Sequence, residues 1–215
     1  MRSYDQYCGL AGALDLIGER WTLLVIRELA TGPKRYTDLA ENLPGIGTSL
    51  LAQRLKALED HDVIGRRTLP PPAGSTVYEL SSIGLELSDA LVPLIRWGLT
   101  HALPPQPRAS HHIRAEWSLL AFAQLPEAAL AGIDASYRVE VSGKPAILRI
   151  HGSRAEILPE GAIESPDAVL RFDADVVSAI GSGRLTAGAA LASGRITTEG
   201  DALAAGALIT AIDAR

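Results

Sequence analysis

The fold is decided by one amphipathic stretch, Thr48-Ser49-Leu50-Leu51-Ala52-Gln53-Arg54-Leu55-Lys56-Ala57-Leu58. At about 100° per residue, the leucines at 51, 55 and 58 fall within one narrow arc of a helix. Ser49, Gln53 and Lys56 fall on the opposite side, and Arg54 lies on a flank. One face is therefore expected to pack into a core, while the other presents small, polar and basic groups to solvent.

The segments before this stretch predict three more helices and a tight turn. Residues 10–17 and 21–30 carry apolar stripes at helical spacing, and Gly32-Pro33 ends the second because proline lacks a backbone donor. Thr37 is the predicted N-cap of a short third helix that runs to about Leu43. Pro44-Gly45-Ile46-Gly47 then forms a compact turn, and Thr48 starts the fourth helix.

A hairpin and a long helix are predicted after the fourth helix. Residues 63–69 and 76–80 are strand-like, and the segment from Pro70 to Ser75 suits an exposed hairpin tip. Ser81 or Ser82 is expected to cap the long helix, whose apolar stripe consists of Ile83, Leu87, Leu91, Leu94 and Ile95. That stripe exceeds what a small core needs, which indicates a partner surface.

Helix, tight turn, polar-faced helix and basic hairpin, in this order, are the parts of a winged helix-turn-helix. In that arrangement Thr48, Ser49 and Gln53 are expected to hydrogen-bond base edges or phosphates of DNA. The cations expected to hold the DNA backbone are Lys34, Arg35, Arg54, Lys56, Arg66 and Arg67. The same pattern also fits the solvated faces of a small helical domain, and spacing alone leaves both interpretations open.

Composition limits the class of protein. The chain has 215 residues, 47% of them hydrophobic, which is enough for two ordinary domains. It has no apolar run of 18 residues and its start is polar, so a cytoplasmic protein without a membrane partner is expected. The net charge is -5, and residues 1–105 contain 10 basic and 12 acidic residues. Any DNA-binding surface must therefore gather its positive charge locally.

Several blocks, in order, resemble the HxlR-type bacterial regulators, which are related to the MarR group. The blocks are residues 8–29 (CGLAGALDLIGERWTLLVIREL), 35–39 (RYTDL), 51–59 (LAQRLKALE) and 77–84 (VYELSSIG). The resemblance covers nearly all of residues 5–98, and it implies a homodimer, built through the first and last helices, that binds palindromic operators. It also implies that Ser49, Gln53, Arg54 and Lys56 lie on the recognition helix, with Arg66 and Arg67 in the wing.

Cys8 is the single cysteine, so neither an intrachain disulfide nor a cysteine-rich zinc module is possible. It falls where some members of the resembled family keep one N-terminal cysteine that senses oxidants or electrophiles. A thiol at a helix start can have a lowered pKa, and in a dimer it can pair with the cysteine of the other subunit. The alternative is a small, half-buried side chain that packs near the dimer helices.

A second domain is predicted behind a proline-rich linker. We expect a winged-helix domain over residues 1–103, the linker at 104–107 and a ligand-binding domain over 108–215. Within this ligand-binding domain, helical patterns occur near 117–124, 176–180, 187–192 and 203–212. Strand patterns occur near 137–141, 147–150, 155–158 and 169–172. Asp175, Thr186 and Asp201 are predicted helix caps. The expected fold class is α+β.

Four blocks of this second domain resemble the C-terminal half of SCP2-type sterol-carrier domains. They are residues 168–175 (AVLRFDAD), 182–185 (SGRL), 189–196 (AALASGRI) and 199–201 (EGD). Such domains wrap a curved sheet and helices around an apolar tunnel. The resemblance implies an apolar small-molecule effector, contacted by Trp117, Leu170, Phe172, Ile180 and Leu191. A degenerate pocket retained only to strengthen dimerisation is the alternative.

Catalysis, a cofactor and a metal site are not expected. His111 and His112 are adjacent, so on a helix they point about 100° apart and cannot easily hold one metal. No nucleophile elbow, phosphate-binding glycine loop or zinc-protease motif occurs. The expected function is a dimeric, sequence-specific regulator that binds inverted-repeat operator DNA and responds to an apolar molecule or to Cys8 oxidation. The alternative is a carrier of hydrophobic metabolites whose helical domain serves only for dimerisation.

Overall fold

The computed structural model describes residues 3–70, 74–123 and 125–214. The chain divides into two units, Met1–Leu91 and Val92–Arg215. Residues 71–73 of the predicted hairpin tip, and residue 124 at the predicted end of a helix, lie outside the described residues. Residues 104–107 belong to no helix or strand, and the linker proposed there remains a prediction.

The first unit has the element order that the sequence predicts. Its elements are α1 (Gly9–Ile17), α2 (Thr22–Ala30), α3 (Tyr36–Asn42), α4 (Thr48–Asp60), β1 (Ile64–Thr68) and β2 (Thr76–Leu80). Leu51, Leu55 and Leu58 of α4 are buried, as are Val25 of α2 and Leu39 of α3, because the leucine arc of α4 turns into the core of this unit, where α4 packs against α2 and β1. The next helix, α5 (Ser82–His101), begins in the first unit and ends in the second.

The hairpin is a short antiparallel ladder. Arg67 lies opposite Val77, and Arg66 lies opposite Tyr78. A single bridge between Lys34 and Tyr78 adds the chain before α3 to the edge of this ladder. The hairpin is thus fixed to the helices by backbone hydrogen bonds as well as by the buried Val77 side chain.

The predicted cap of α3 is wrong. The helix begins at Tyr36, with Arg35 at the N-cap position, so Thr37 lies inside its first turn. The Asp38 carboxylate accepts a hydrogen bond from the Arg35 backbone N–H at 2.8 Å, which satisfies a group that the helix itself leaves unpaired. A carboxylate at the third helical position also interacts favourably with the helix dipole, so the helix can start without a Thr37 cap.

The second unit is a five-stranded sheet with helices, which confirms the α+β class. Its elements are α6 (Ala115–Ala123), α7 (Glu127–Leu130), β3 (Ala135–Val141), β4 (Lys144–His151), β5 (Arg154–Leu158), β6 (Ala168–Phe172), α8 (Ala174–Gly181), α9 (Ala187–Ala192), β7 (Ile196–Gly200) and α10 (Ala202–Asp213). The strand order is β5-β4-β3-β6-β7, and β3 pairs in parallel only with β6.

Most of the core of the second unit lies on one face of this sheet. Tyr137, Val139 and Val141 of β3 point to that face, in register with Leu148 of β4 and Leu170 of β6. The Tyr137 hydroxyl donates a hydrogen bond to the Ala204 carbonyl of α10 at 3.0 Å. Since the phenol is buried, this bond joins the central strand to the last helix through the interior.

Two of the three caps predicted for this unit are confirmed. Thr186 accepts the Ala189 N–H, and Asp201 accepts the N–H groups of Leu203 and Ala204. Asp175 was wrongly predicted as a cap, because α8 begins at Ala174 with Asp173 at the N-cap. The Asp175 carboxylate instead pairs with Arg195 at 2.9 Å.

Two elements of the second unit were not predicted. Strand β7 is an edge strand in which only Ile196 is buried, so it lacks the alternating pattern that reveals half-buried strands. Helix α7 is a single turn of four residues, too short for a helical period to show.

Candidate DNA-binding surface

Helix α4 separates its packing side chains from its polar ones as the sequence predicts. Its three leucines are buried, while Thr48, Ser49 and Gln53 are exposed. Within the described residues, no side-chain hydrogen bond occupies any of these three polar groups. Gly47 holds the N-cap position and offers no capping side chain, so the first backbone N–H groups of α4 are open to an external acceptor.

The start of α4 is held by a neighbouring helix. The hydroxyl of Tyr36, the first residue of α3, donates a hydrogen bond to the Thr48 carbonyl at 2.8 Å. This contact crosses the tight turn between the two helices and fixes where the polar face of α4 begins. Tyr36 was not among the predicted site residues, because its sequence position gives no sign of the partner.

The exposed cations near this face are paired with carboxylates. Lys56 pairs with Asp60 at 3.0 Å, one turn along α4. In the hairpin, Arg66 pairs with Glu59 at 2.8 Å, and Arg67 pairs with Glu79 at 2.9 Å. Exposed pairs of this kind contribute only about 0–1 kcal/mol each, so a phosphate can displace the carboxylate at small cost.

Arg54 is placed differently from the other predicted backbone contacts. Its side chain is only 11% exposed. The Arg54 Nη2 donates to Glu19 Oε2 at 2.9 Å, and its Nε donates to the Arg20 carbonyl at 3.2 Å. The structure therefore holds this guanidinium against the segment between α1 and α2 rather than on the open face of α4.

Lys34 and Arg35 also differ in placement: Lys34 is held against its own unit, whereas Arg35 is exposed. The Lys34 ammonium donates to the carbonyls of Thr31 and Gly32, both at 3.0 Å, at the C-terminal end of α2. Cations are favourable there because the last carbonyls of a helix carry partial negative charge. Arg35 is exposed at the start of α3. Of this pair, Arg35 has the placement that suits a phosphate contact.

The carboxylate partners of these cations were not predicted from the sequence. Glu59, Glu79 and Glu19 each neutralise one predicted DNA contact. Between residues 34 and 79 the chain has six basic and six acidic residues, so the balance of charge was visible in the sequence. The individual pairs were not, because the hairpin register and the fold bring them together.

Cys8 lies at the N-cap position of α1 and is exposed. The backbone N–H groups of Ala11 and Leu10 lower the pKa of its thiol, because they stabilise the thiolate. An exposed thiol with a lowered pKa is more reactive toward oxidants and electrophiles than an ordinary cysteine.

The predicted pocket residues of the second unit are spread over four elements. Trp117 lies on α6, Leu170 and Phe172 on β6, Ile180 on α8 and Leu191 on α9. Leu170 is buried, and the other four are half-buried. Leu170 and Phe172 point to the same face of the sheet as Tyr137, which is the face that α10 covers.

No helix of the described residues is long and apolar enough to cross a membrane. In the same part of the chain, no group of three or more His, Cys, Asp or Glu side chains is arranged to hold a metal ion.

Two family models match the chain, one in each half. Residues 16–105 match the HxlR-like helix-turn-helix family, and residues 119–213 match the SCP-2 sterol transfer family. The HTH-type transcriptional regulator YodB of Bacillus subtilis is 34% identical over 88 residues, which are 41% of this chain and 79% of YodB. An HTH-type transcriptional regulator of Mycobacterium tuberculosis is 36% identical over 107 residues, which are 48% of this chain and 67% of the relative.

Solved structures of YodB also resemble part of this chain. The reduced form has a TM-score of 0.41 and 32% identity, and it covers 46% of this chain and 98% of YodB. A quinone-bound form has a TM-score of 0.37 and 31% identity, and it covers 41% of this chain and 93% of YodB. On the sequence matches, the chain belongs to the HxlR-like helix-turn-helix family of transcriptional regulators, and its second half matches the SCP-2 sterol transfer family.

Proposed function

We propose that the chain acts as a homodimer that reads inverted-repeat operator DNA with α4, by binding and without catalysis, in the cytoplasm. The observation that carries this proposal is the division of α4. Three buried leucines fix the helix to its unit, while Thr48, Ser49 and Gln53 keep free hydroxyl and amide groups on the exposed side. A dimer would set two such helices roughly 34 Å apart, one turn of DNA.

The side chains then divide into those that contact bases and those that contact phosphates. The Gln53 amide can make a paired hydrogen bond to adenine, and the hydroxyls of Ser49 and Thr48 can reach bases or phosphates. Arg35, Lys56, Arg66 and Arg67 are proposed to hold phosphates, the last three by exchanging a carboxylate partner for a phosphate. Because each exchange starts from a neutralised cation, we expect a modest dependence of affinity on salt.

The test is a mobility shift with DNA from upstream of the protein's own operon. Gln53→Ala is expected to weaken binding about tenfold, the scale of one base contact, whereas Gln106→Ala, an exposed glutamine outside every helix and strand, leaves it unchanged. Equal affinities for the wild type and Gln53→Ala would remove α4 from the interface.

The homodimer is supported by the apolar surface of α5. Leu94 is 51% exposed and Trp97 is 59% exposed, although both are large apolar side chains. Val92, Pro93 and Arg96 line a groove with Trp97 along the same helix. Leu94→Glu is expected to shift sedimentation from dimer to monomer, while Leu203→Glu, at a site 86% exposed on α10, is not. A Leu94→Glu dimer as stable as the wild type would exclude this surface.

Cys8 is proposed as a regulatory thiol. It is exposed at the start of α1, its pKa is lowered, and the related YodB has been solved in a quinone-bound form. Treating the wild type with diamide is expected to lower operator affinity, because diamide takes two electrons from the Cys8 thiols of two subunits and leaves a disulfide between them, and Cys8→Ser should be insensitive. Equal responses of the two proteins would assign the effect to another site.

The second unit is proposed to bind an apolar small molecule that shifts the dimer between arrangements of different DNA affinity. The match to the SCP-2 sterol transfer family supports this assignment. Native mass spectrometry of the purified protein tests it by the mass of a retained ligand. The carrier alternative predicts ligand binding without salt-dependent DNA affinity, and the named relatives, all transcriptional regulators, favour the regulator.

A further inference from the structure

One short segment contacts the recognition helix at the flank of its polar face. We call residues 18–21, between α1 and α2, the α1–α2 corner. Arg54 of α4 donates to the Glu19 carboxylate at 2.9 Å and to the Arg20 carbonyl at 3.2 Å. The guanidinium is thus bound to a side chain and to the backbone of the corner at once, which fixes both its distance and its orientation.

The corner makes a second contact with the turn that leads into α4. Trp21 has a left-handed backbone with φ 80°, an uncommon conformation for a bulky residue. Its indole lies 3.7 Å from where a Cβ would stand on Gly45, and Gly45 itself has φ +97°. The indole thus packs against a turn residue that lacks a side chain. Strain of this kind persists when the surrounding contacts require it.

The corner is internally tied as well. The Arg20 guanidinium stacks over the Trp21 ring at 5.4 Å. Gly18, where the chain leaves α1, could not carry a Cβ without placing it 2.5 Å from the Leu14 carbonyl oxygen. These contacts make the corner a stiff link between the end of α1 and two other parts of the unit. One is the turn before α4, and the other is the middle of α4.

We propose that Glu19 and Arg54 are positioning residues for operator recognition, and that the α1–α2 corner passes displacements of α1 to α4. This inference rests on the proposed DNA-binding function and adds its means of control. Cys8 is the N-cap of helix α1, which exposes Leu10 and Leu14, so a change of thiol state or of subunit contact acts on α1 first. Through the corner, such a change alters the angle of α4 without touching its polar face.

The test compares two glutamates that each pair with one arginine. Glu19→Gln and Glu59→Gln remove the same charge, and the first loosens Arg54 whereas the second frees Arg66. The probe is a duplex enriched from a random pool by the wild-type protein, with a shuffled duplex for non-specific affinity. Removing a negative charge from a DNA-binding surface should raise affinity in general. We expect Glu59→Gln to do so, while Glu19→Gln lowers specific affinity about five- to tenfold and leaves non-specific affinity unchanged.

Arg54 supplies a second variant and a different readout. Arg54→Lys keeps the charge but lacks the planar guanidinium, whose Nε and Nη2 make the two corner contacts in a fixed geometry, so it is expected to lose specific affinity as Glu19→Gln does. Arg54→Gln should leave the slope of log affinity against log salt unchanged, whereas loss of a phosphate contact would reduce that slope by about one. Thermal unfolding of each variant separates these effects from loss of the fold.

The outcomes distinguish the two proposals. If the wild type binds its selected duplex no better than the shuffled one, the DNA-reading proposal fails and the corner's role fails with it. If the wild type discriminates, and Glu19→Gln and Arg54→Lys discriminate equally well, only the positioning role is wrong. A reduced salt slope for Arg54→Gln would make Arg54 a phosphate contact instead.

Discussion

At the start of α2, the Thr22 hydroxyl is buried and has no hydrogen-bond partner among the described residues. At the other end of the helix, the buried Thr31 hydroxyl donates to the Glu28 carbonyl at 2.8 Å. An unsatisfied buried polar group costs free energy, whereas a satisfied one contributes about 1 kcal/mol. The threonine hydroxyl therefore lowers stability at the start of α2 and raises it at the end.

This contrast gives a matched prediction. Thr22→Val is expected to leave the free energy of unfolding unchanged or to raise it by up to ~1 kcal/mol, because it replaces an unpaired hydroxyl with a methyl group. Thr31→Val is expected to lower it by about 1 kcal/mol, because a made hydrogen bond is lost. Urea denaturation of both variants measures the difference. Equal losses in both would show that the Thr22 hydroxyl has a partner in solution.

Tyr137 predicts a pH dependence of stability. Burial, followed by the negative charges of Asp167 and Asp201, raises the pKa of its phenol to about 12 in the folded protein, from an ordinary value of 10. The unfolded chain loses this proton first as pH rises, so the contribution to stability is present below about pH 10 and is lost between pH 10 and 12.

The variant Tyr137→Phe isolates this group from the lysines that titrate in the same range. Its free energy of unfolding is expected to be about 1 kcal/mol lower at neutral pH, because the hydrogen bond to Ala204 is lost. Above pH 10 its free energy of unfolding should decline less than that of the wild type. Denaturation midpoints at pH 8, 10 and 11 measure both. Parallel declines would mean that the phenol ionises as easily in the folded state as in the unfolded one.

At the scale of elements, the sequence predicted what a repeating pattern can encode. The leucine arc of α4, the hairpin arms and the caps Thr186 and Asp201 follow from spacing and local hydrogen bonds, and they are confirmed. The start of α3 was missed because the Asp38 carboxylate accepts the Arg35 backbone N–H, so the helix begins without the predicted Thr37 cap. Strand β7 was missed because only Ile196 of its five residues is buried, which leaves no alternating pattern in the sequence.

Helix α5 offers a test of element packing with two glycines. A Cβ on Gly84 would lie 2.2 Å from the Val63 carbonyl oxygen, so this helix passes directly against the backbone before β1. A Cβ on Gly98 would meet nothing within 4 Å. Gly84→Ala is expected to cost about 2 kcal/mol or more of unfolding free energy, since backbone must move. Gly98→Ala should raise it by roughly 0.5–1 kcal/mol through helix propensity.

Thermal unfolding of the two alanine variants, made in the same background, measures this difference. The helix is common to both, so intrinsic propensity cancels and the contact with the Val63 carbonyl remains. A Gly84→Ala protein as stable as Gly98→Ala would mean that α5 lies farther from the hairpin than the structure shows.

For the molecule as a whole, the candidate site was predicted in part. The polar face of α4 could be found because it is the complement of a buried arc in one helix. The pairing of Arg66 with Glu59 and of Arg67 with Glu79 could not, because it depends on how a hairpin returns to a helix. Arg54 shows most clearly that helical spacing alone does not predict side-chain contacts. It lies on the flank of the predicted face, yet its guanidinium pairs with Glu19.

The central claim is that α4 reads DNA sequence through Thr48, Ser49 and Gln53. The most direct test is selection from a random duplex pool by the wild type and by Gln53→Ala in parallel, followed by sequencing. We predict that the wild type enriches an inverted repeat with half-sites about 10 base pairs apart, and that Gln53→Ala loses preference at one base position in each half-site and keeps the rest. Enrichment of no sequence by the wild type, or an unchanged preference in the variant, would contradict it.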